Sequence, residues 1–188
     1  SKDYCHCKET EDAFRGWAKN KYNSIEELNK CWGTTFWTCE FTSFEEISTP
    51  KVGMWDAGNP HIYLDWFRFK SERLRDWLTF EKNLVKKYDK THKVGTNSFT
   101  TIPTRIGDHD VLASSMEWFG WDIYPKGTMN NPPSLAQIAD YWRSLCSDRG
   151  IEFHVTELQG GPNVRWGYKG NVEGPEIRLW THQIAAHG

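Results

Sequence analysis

The chain of 188 residues has no run of about 18 apolar residues, so it offers no candidate membrane-spanning helix. It has no excess of positive charge either. Its 23 Lys and Arg against 25 Asp and Glu give a formal net charge of -2, spread along the chain, and the basic stripe of a nucleic-acid-binding protein is missing. Nor is there an even, regularly spaced set of cysteines. The five, Cys5, Cys7, Cys31, Cys39 and Cys146, argue for reduced thiols rather than a disulfide framework, and so for a cytoplasmic location. No secretory leader, internal repeat or low-complexity tract can be read in these residues. The chain opens on Ser1 rather than Met, so an upstream segment is expected.

What the sequence does have is aromatic side chains: 11 Trp, 7 Tyr and 10 Phe, together 15% of residues. Most serve to fill a core. A pyranose, however, presents one C–H-rich face and a rim of hydroxyls, and a Trp beside acidic or amide groups suits both. The length allows one ordinary domain with a sizeable core.

Residues 11–22 read as a short amphipathic helix with Phe14 and Trp17 on one face. Ser24 and Glu27 form a capping-box pattern for a second helix ending near Trp32-Gly33. Residues 34–60 read as a long irregular loop packed by Phe36, Trp37 and Phe41, and loops of that length are often functional. The longest helix is predicted over 61–88, with an apolar face of Leu64, Phe67, Leu74, Trp77, Leu78, Leu84, Val85 and Tyr88. A strand is expected over Lys93–Phe99 and another in the stretch ending Trp121-Asp122-Ile123-Tyr124-Pro125. Ser134 reads as the cap of a helix closed by Gly150, then comes a strand over 151–157, a Gly/Pro-rich loop, and a helix over 175–187 led by Pro175. Strands alternating with helices imply parallel β/α units, whose active residues gather at the C-terminal ends of the strands.

Three strand ends then become the places to look: Asn97-Ser98-Phe99, Trp121-Asp122-Ile123-Tyr124 and Thr156-Glu157-Leu158-Gln159. Glu157 precedes Gly160-Gly161-Pro162, a turn that would leave its carboxylate at a rim. Alternation puts Ile151, Phe153, Val155 and Glu157 on one face, the interior if the sheet closes into a barrel. Glu152, His154 and Thr156 then occupy the face toward the outer helices, which is polar for such a layer. On pattern alone Glu157 reads first as a solvated glutamate at a strand end. Retaining glycoside hydrolysis needs two carboxyl groups about 5 Å apart, one as nucleophile and one as acid/base. Asp122 is the other strand-end carboxylate, better read as a supporting group or a contact to a sugar hydroxyl. Asn97 fits a sugar-hydroxyl contact or a turn.

Cys5-His6-Cys7 has the look of metal chemistry, with Cys5 and Cys7 as candidate zinc ligands and His6 and Cys31 as additions. A structural site needs four ligands and no second C-x-C or C-x-x-C is present.

The stretch Cys5-x-Cys7, Ala13-Phe14-Arg15-x-Trp17, Tyr22, Leu28-Asn29 and Trp32-Gly33-Thr34-x-Phe36-Trp37 resembles the family 42 glycoside hydrolases, mostly bacterial β-galactosidases. So do Leu64-Asp65-x-x-Arg68-Phe69, Thr96-Asn97-x-Phe99, Trp121-Asp122-x-Tyr124-Pro125, Glu157-x-Gln159-x-Gly161-Pro162-x-Val164-x-Trp166 and Arg178-Leu179-Trp180. Each motif is short, but they run in order over nearly the whole chain.

The resemblance implies an α/β fold, part of a (β/α)8 TIM barrel from roughly strand five to just before strand eight, with the helices after strand four. Residues 1–188 would be an internal piece of one glycoside hydrolase catalytic barrel domain, since a complete barrel needs roughly 250 residues. It implies hydrolysis of terminal β-D-galactosides with retention, through a glycosyl-enzyme on Glu157. It implies sugar contacts from Trp37 and Trp166, no cofactor for catalysis, and a homotrimeric parent. The family's acid/base, the glutamate of an Asn-Glu motif, would lie upstream, so these residues alone are expected to be inactive. The family's third cysteine, three residues after C-x-C, is here Thr10. The alternatives are a related barrel hydrolase acting on an arabinoside or glucoside, and a non-catalytic carbohydrate-binding remnant.

Overall fold

The computed structural model describes residues 5–36, 39–50, 59–98, 107–128, 132–162 and 170–188. The elements are α1 (Lys8–Lys21), α2 (Ile25–Trp32), a 3-10 turn (Phe44–Glu46), α3 (Pro60–Tyr88), β1 (Gly95–Ser98), α4 (His109–Ala113), β2 (Trp118–Ile123), α5 (Pro125–Thr128), α6 (Pro132–Asp148), β3 (Glu152–Leu158) and α7 (Gly174–Ala186). Among the described residues no helix is long and apolar enough to cross a membrane. The chain divides into two compact units, Ser1–Arg73 with Arg105–Asp108, and Leu74–Thr104 with His109–Gly188.

The first unit is helical and aromatic. Phe14, Ala18, Tyr22, Leu28, Trp32, Ile47, Trp66 and Phe69 form its buried core. Ser24 caps α2 as its sequence predicts, Oγ accepting from the Glu27 N–H at 3.2 Å, a contact worth about 1 kcal/mol. The return bond differs: the Glu27 carboxylate accepts from the backbone N–H of Asn23 rather than of Ser24. Phe41 packs edge-on against Trp32, as expected of the loop, but Phe36 is exposed. Trp37 lies outside the described residues.

One carboxylate organises this unit. Asp65, almost fully buried, accepts from the Lys21 ammonium, from the Tyr22 hydroxyl at 2.5 Å, from the Trp32 indole N–H at 3.0 Å and from Arg68 at 3.1 Å. Burial pushes its pKa up, but the four donors together outweigh that and hold it below the usual carboxylate value. A buried charge persists only when satisfied in this way. The α3 face predicted to be apolar holds only in part: Leu74 and Leu78 pack against the core of the second unit, Leu64, Trp77, Leu84, Val85 and Tyr88 are exposed, and the buried residues are Asp65, Trp66, Phe69 and Ser71.

The second unit holds a parallel three-stranded sheet of order β1-β2-β3. Phe119, Trp121 and Ile123 of β2 pack with Leu135, Trp142, Leu145 and Cys146 of α6 and with Trp180 of α7. The α6 residues recur at helical spacing, so one stripe meets the sheet. That helix starts at Pro132, two residues before Ser134. A proline suits the first helical position because its missing N–H would lack a partner there, and Ser134 is a first-turn residue rather than the cap. Gly150, at φ +64°, takes the left-handed conformation that ends the segment, as expected. Glu173 and Glu176 form a full capping box at the start of α7, with proline in its first turn.

The β3 faces correct the sequence reading. Ile151, Phe153 and Val155 pack toward the α6–α7 cluster, not toward an interior cavity. Pairing runs Trp121↔Val155 and then Asp122↔Glu157, so β3 carries one extra residue, Thr156, in a bulge. The bulge takes Glu157 off the face of Val155 and puts it beside Thr156, while Leu158 returns to the helical side. Glu152, His154 and Thr156 thus lie away from the helices, which removes the oddity of a polar outer layer.

Candidate active site

The face of the sheet away from the helices bears Asn97 from β1, Asp122 from β2, and Thr156 and Glu157 from β3, all at the C-terminal ends of parallel strands. Register brings them together. Asn97 pairs with Gly120, two residues before Asp122, and Asp122 pairs with Glu157.

Asp122 is buried, and both its oxygens are used. Oδ2 accepts from the Asn97 amide at 2.5 Å, and Oδ1 accepts from the Thr156 hydroxyl at 2.7 Å. The group ties the three strand ends to one another. Gly120 makes that possible: a Cβ there would stand 2.6 Å from Thr156 Cγ2 and 3.0 Å from its hydroxyl. Thr156 occupies the space a side chain would need.

Glu157 is exposed, and its carboxylate accepts a hydrogen bond from the Tyr124 hydroxyl. Tyr124 follows β2 directly and precedes Pro125, the first residue of α5. A phenol donating to one carboxylate oxygen orients the carboxyl group. The arrangement is an oriented, solvent-accessible carboxylate on a rigid strand end, suited to attack on an electrophilic carbon.

Of the residues singled out by sequence, Asn97, Asp122, Tyr124 and Glu157 converge. Trp37 and Trp166 lie outside the described residues. Gly120 was not legible as a site residue, and Thr156 was read within its strand end but placed on the face toward the outer helices. Their roles come from the bulge and from register, neither of which leaves a local signature. Gln159 was visible as part of a strand end and a motif, but its role was not, because its partner Lys126 is 33 positions away.

Cys5 and Cys7 do lie together, sulfur to sulfur 3.1 Å, with Thr10 Oγ1 3.3 Å from Cys7. Two thiolates sharing one tetrahedral zinc at 2.3 Å would stand roughly 3.8 Å apart. His6 is turned away, its Nδ1 2.8 Å from the Thr49 hydroxyl and its ring stacked on Trp66. Among the described residues no three His, Cys, Asp or Glu side chains converge on a metal position. The residues described do not fit a zinc site.

Comparison with known proteins identifies the family. The family described as Beta-galactosidase, glycoside hydrolase family 42, matches residues 1–188. The β-galactosidase of Thermus thermophilus is 32% identical over 200 residues, taking in 98% of this chain and 30% of its own. β-Galactosidase LacZ of Lactobacillus acidophilus is 33% identical over 193 residues, with 98% and 28% covered. Among solved structures, a β-galactosidase from the Antarctic haloarchaeon Halorubrum lacusprofundi superposes with a TM-score of 0.87 at 27% identity, over 99% of this chain and 29% of that one. The β-galactosidase from Bacillus circulans sp. alkalophilus gives a TM-score of 0.86 at 31% identity, over 98% and 27%. The chain spans about 30% of the length of the relatives it matches.

Proposed function

The chain belongs to the family 42 glycoside hydrolases, and from that premise we propose that the protein it comes from cleaves terminal β-D-galactosides with retention, Glu157 being the nucleophile. In this reading β1, β2 and β3 are strands five to seven of a (β/α)8 barrel, and the face bearing Asn97, Asp122 and Glu157 is its interior. The observation that carries the proposal is the hydrogen bond from Tyr124 to Glu157 at adjoining strand ends, which presents an oriented carboxylate to solvent.

A Glu157 oxygen attacks the anomeric carbon and forms a C–O bond to it. The bond from that carbon to the departing oxygen breaks, and a carboxylic acid protonates the departing oxygen. The same acid, now a carboxylate, then takes a proton from water, which attacks the anomeric carbon and releases Glu157. Asp122 is not that acid, because both its oxygens are held as acceptors by Asn97 and Thr156. The acid/base is assigned to a glutamate of an Asn-Glu motif on the strand before Cys5, and a homotrimeric assembly belongs to the same reading. Trp37 and Trp166 are assigned to stacking against the sugar, and Asp122 with Asn97 to bracing the strand ends.

The test is covalent trapping. The full-length enzyme is treated with a 2-fluoro-galactoside and the labelled peptide is mapped. Label on Glu157 is expected, and label on any other residue overturns the assignment. Glu157→Gln is expected to lower turnover of nitrophenyl β-galactoside by at least about 10³-fold, the scale for loss of a nucleophile.

A further inference from the structure

Gln159 is 4% exposed, and its backbone N–H and both polar atoms of its side chain are engaged in the strand-end region. Its backbone N–H donates to the Ile123 carbonyl at 2.9 Å. Its side-chain oxygen accepts from the Lys126 N–H at 3.1 Å, and its side-chain nitrogen donates to the Gly161 carbonyl at 2.9 Å. Ile123 and Lys126 flank Tyr124-Pro125 on either side. The short span that carries the Tyr124 hydroxyl is therefore pinned at both ends to one residue, and that residue stands two positions after Glu157. The Lys126 N–H lies in the first turn of α5, where a helix leaves its donors without intrahelical partners, and Gln159 supplies the missing acceptor. Lys126 extends the tie by its ammonium, 2.6 Å from Glu176 and 3.0 Å from the Asn171 carbonyl.

We propose that Gln159 is a positioning residue for Glu157: its buried carboxamide clamps the turn after β2 to the loop after β3 and so holds the Tyr124 hydroxyl on the nucleophile. The inference rests on Glu157 being the nucleophile. An apolar side chain of equal length leaves the Lys126 N–H and the Gly161 carbonyl without their partner and releases the turn. A displacement of about 1 Å at a reacting group is enough for a large loss of rate.

The experiment uses the full-length enzyme with nitrophenyl β-galactoside, turnover being counted per active site titrated with a 2-fluoro-galactoside. Gln159→Met is expected to lower kcat about 10- to 100-fold with KM within about threefold of wild type. Tyr124→Phe is expected to fall in the same range, and the double variant no more than about twofold below the worse single one, because both remove the same contact. Gln159→Glu keeps the acceptor for Lys126 but sets a carboxylate against the Gly161 carbonyl, and a smaller fall of about 3- to 10-fold is expected. A merely structural role would reduce the number of titratable sites and leave kcat per site at the wild-type value, and that result overturns the inference. So do single effects that multiply in the double variant. Where Gln159→Met fails to fold, Gln159→Glu decides alone, wild-type kcat per site being the overturning result. Wild-type turnover in Glu157→Gln brings down the nucleophile reading and this inference together. Loss of turnover there, with wild-type kcat in Gln159→Met, brings down the inference alone.

Discussion

Thr156 and Glu157 are sequence neighbours that lie on the same face of the sheet, because β3 bulges where Asp122 pairs past Thr156 to Glu157. The two divide the work. Thr156 donates to Asp122, and Glu157 accepts from Tyr124. Without the bulge, strict alternation would set Glu157 with Val155 toward the helical core, where a carboxylate has no water.

Thr156→Val tests the brace. It keeps the shape and removes the hydroxyl, so the buried Asp122 loses one of the two donors it accepts from. The expected cost is about 1–3 kcal/mol of stability, read from urea unfolding. A loss under about 0.5 kcal/mol would show that the bond contributes nothing.

Gly120→Ala is expected to cost about 1–3 kcal/mol by overpacking, since the new Cβ would meet Thr156 at 2.6 Å. In a Thr156→Ala background the two nearest atoms are gone and Trp118 Cζ3 remains at 3.2 Å, so the same substitution is expected to cost less, about 1 kcal/mol or under. Equal costs in the two backgrounds would place the strain elsewhere, and the double-mutant cycle measures the difference.

Asp65 carries a pH signature. Its pKa is lowered in the folded protein, so its contribution is fully present above the unfolded carboxyl value near about 4 and is lost as pH falls through the lower folded value. Asp65→Asn is expected to destabilise the protein by about 2–4 kcal/mol at pH 7, with the gap to wild type narrowing on acidification toward about pH 2. A pH-independent gap in chemical denaturation would contradict the charge-based account.

The cysteines should separate by reactivity. Burial pushes the Cys146 thiol up to about 11, its sulfur facing the Phe119 carbonyl at 3.8 Å, whereas Cys5, Cys7, Cys31 and Cys39 are exposed. Iodoacetamide at pH 8 is expected to modify the four exposed thiols and to reach Cys146 only after unfolding, since the thiolate is the reactive form. Mass spectrometry of the native protein decides this, and rapid alkylation of Cys146 would contradict it.

Much of this was legible in the residues themselves. The Ser24 cap, the Gly150 stop, the proline at the start of α7 and the alternation of helices with parallel strands are local signals, set by backbone chemistry over a few positions. So was Glu157 as a strand-end carboxylate near Asp122 and Tyr124, and the motifs around it identified the family. The α3 face was misread in part because periodicity marks an apolar stripe without saying which neighbour it meets, and Asp65 took the buried position that a hydrophobic rule would deny it. Only the tertiary structure decided which face of β3 is which, that Thr156 and Gly120 fit one space, and that Gln159 reaches Lys126. A bulge, a close approach and a contact across 33 positions depend on pairing between segments, and a linear pattern holds no record of pairing.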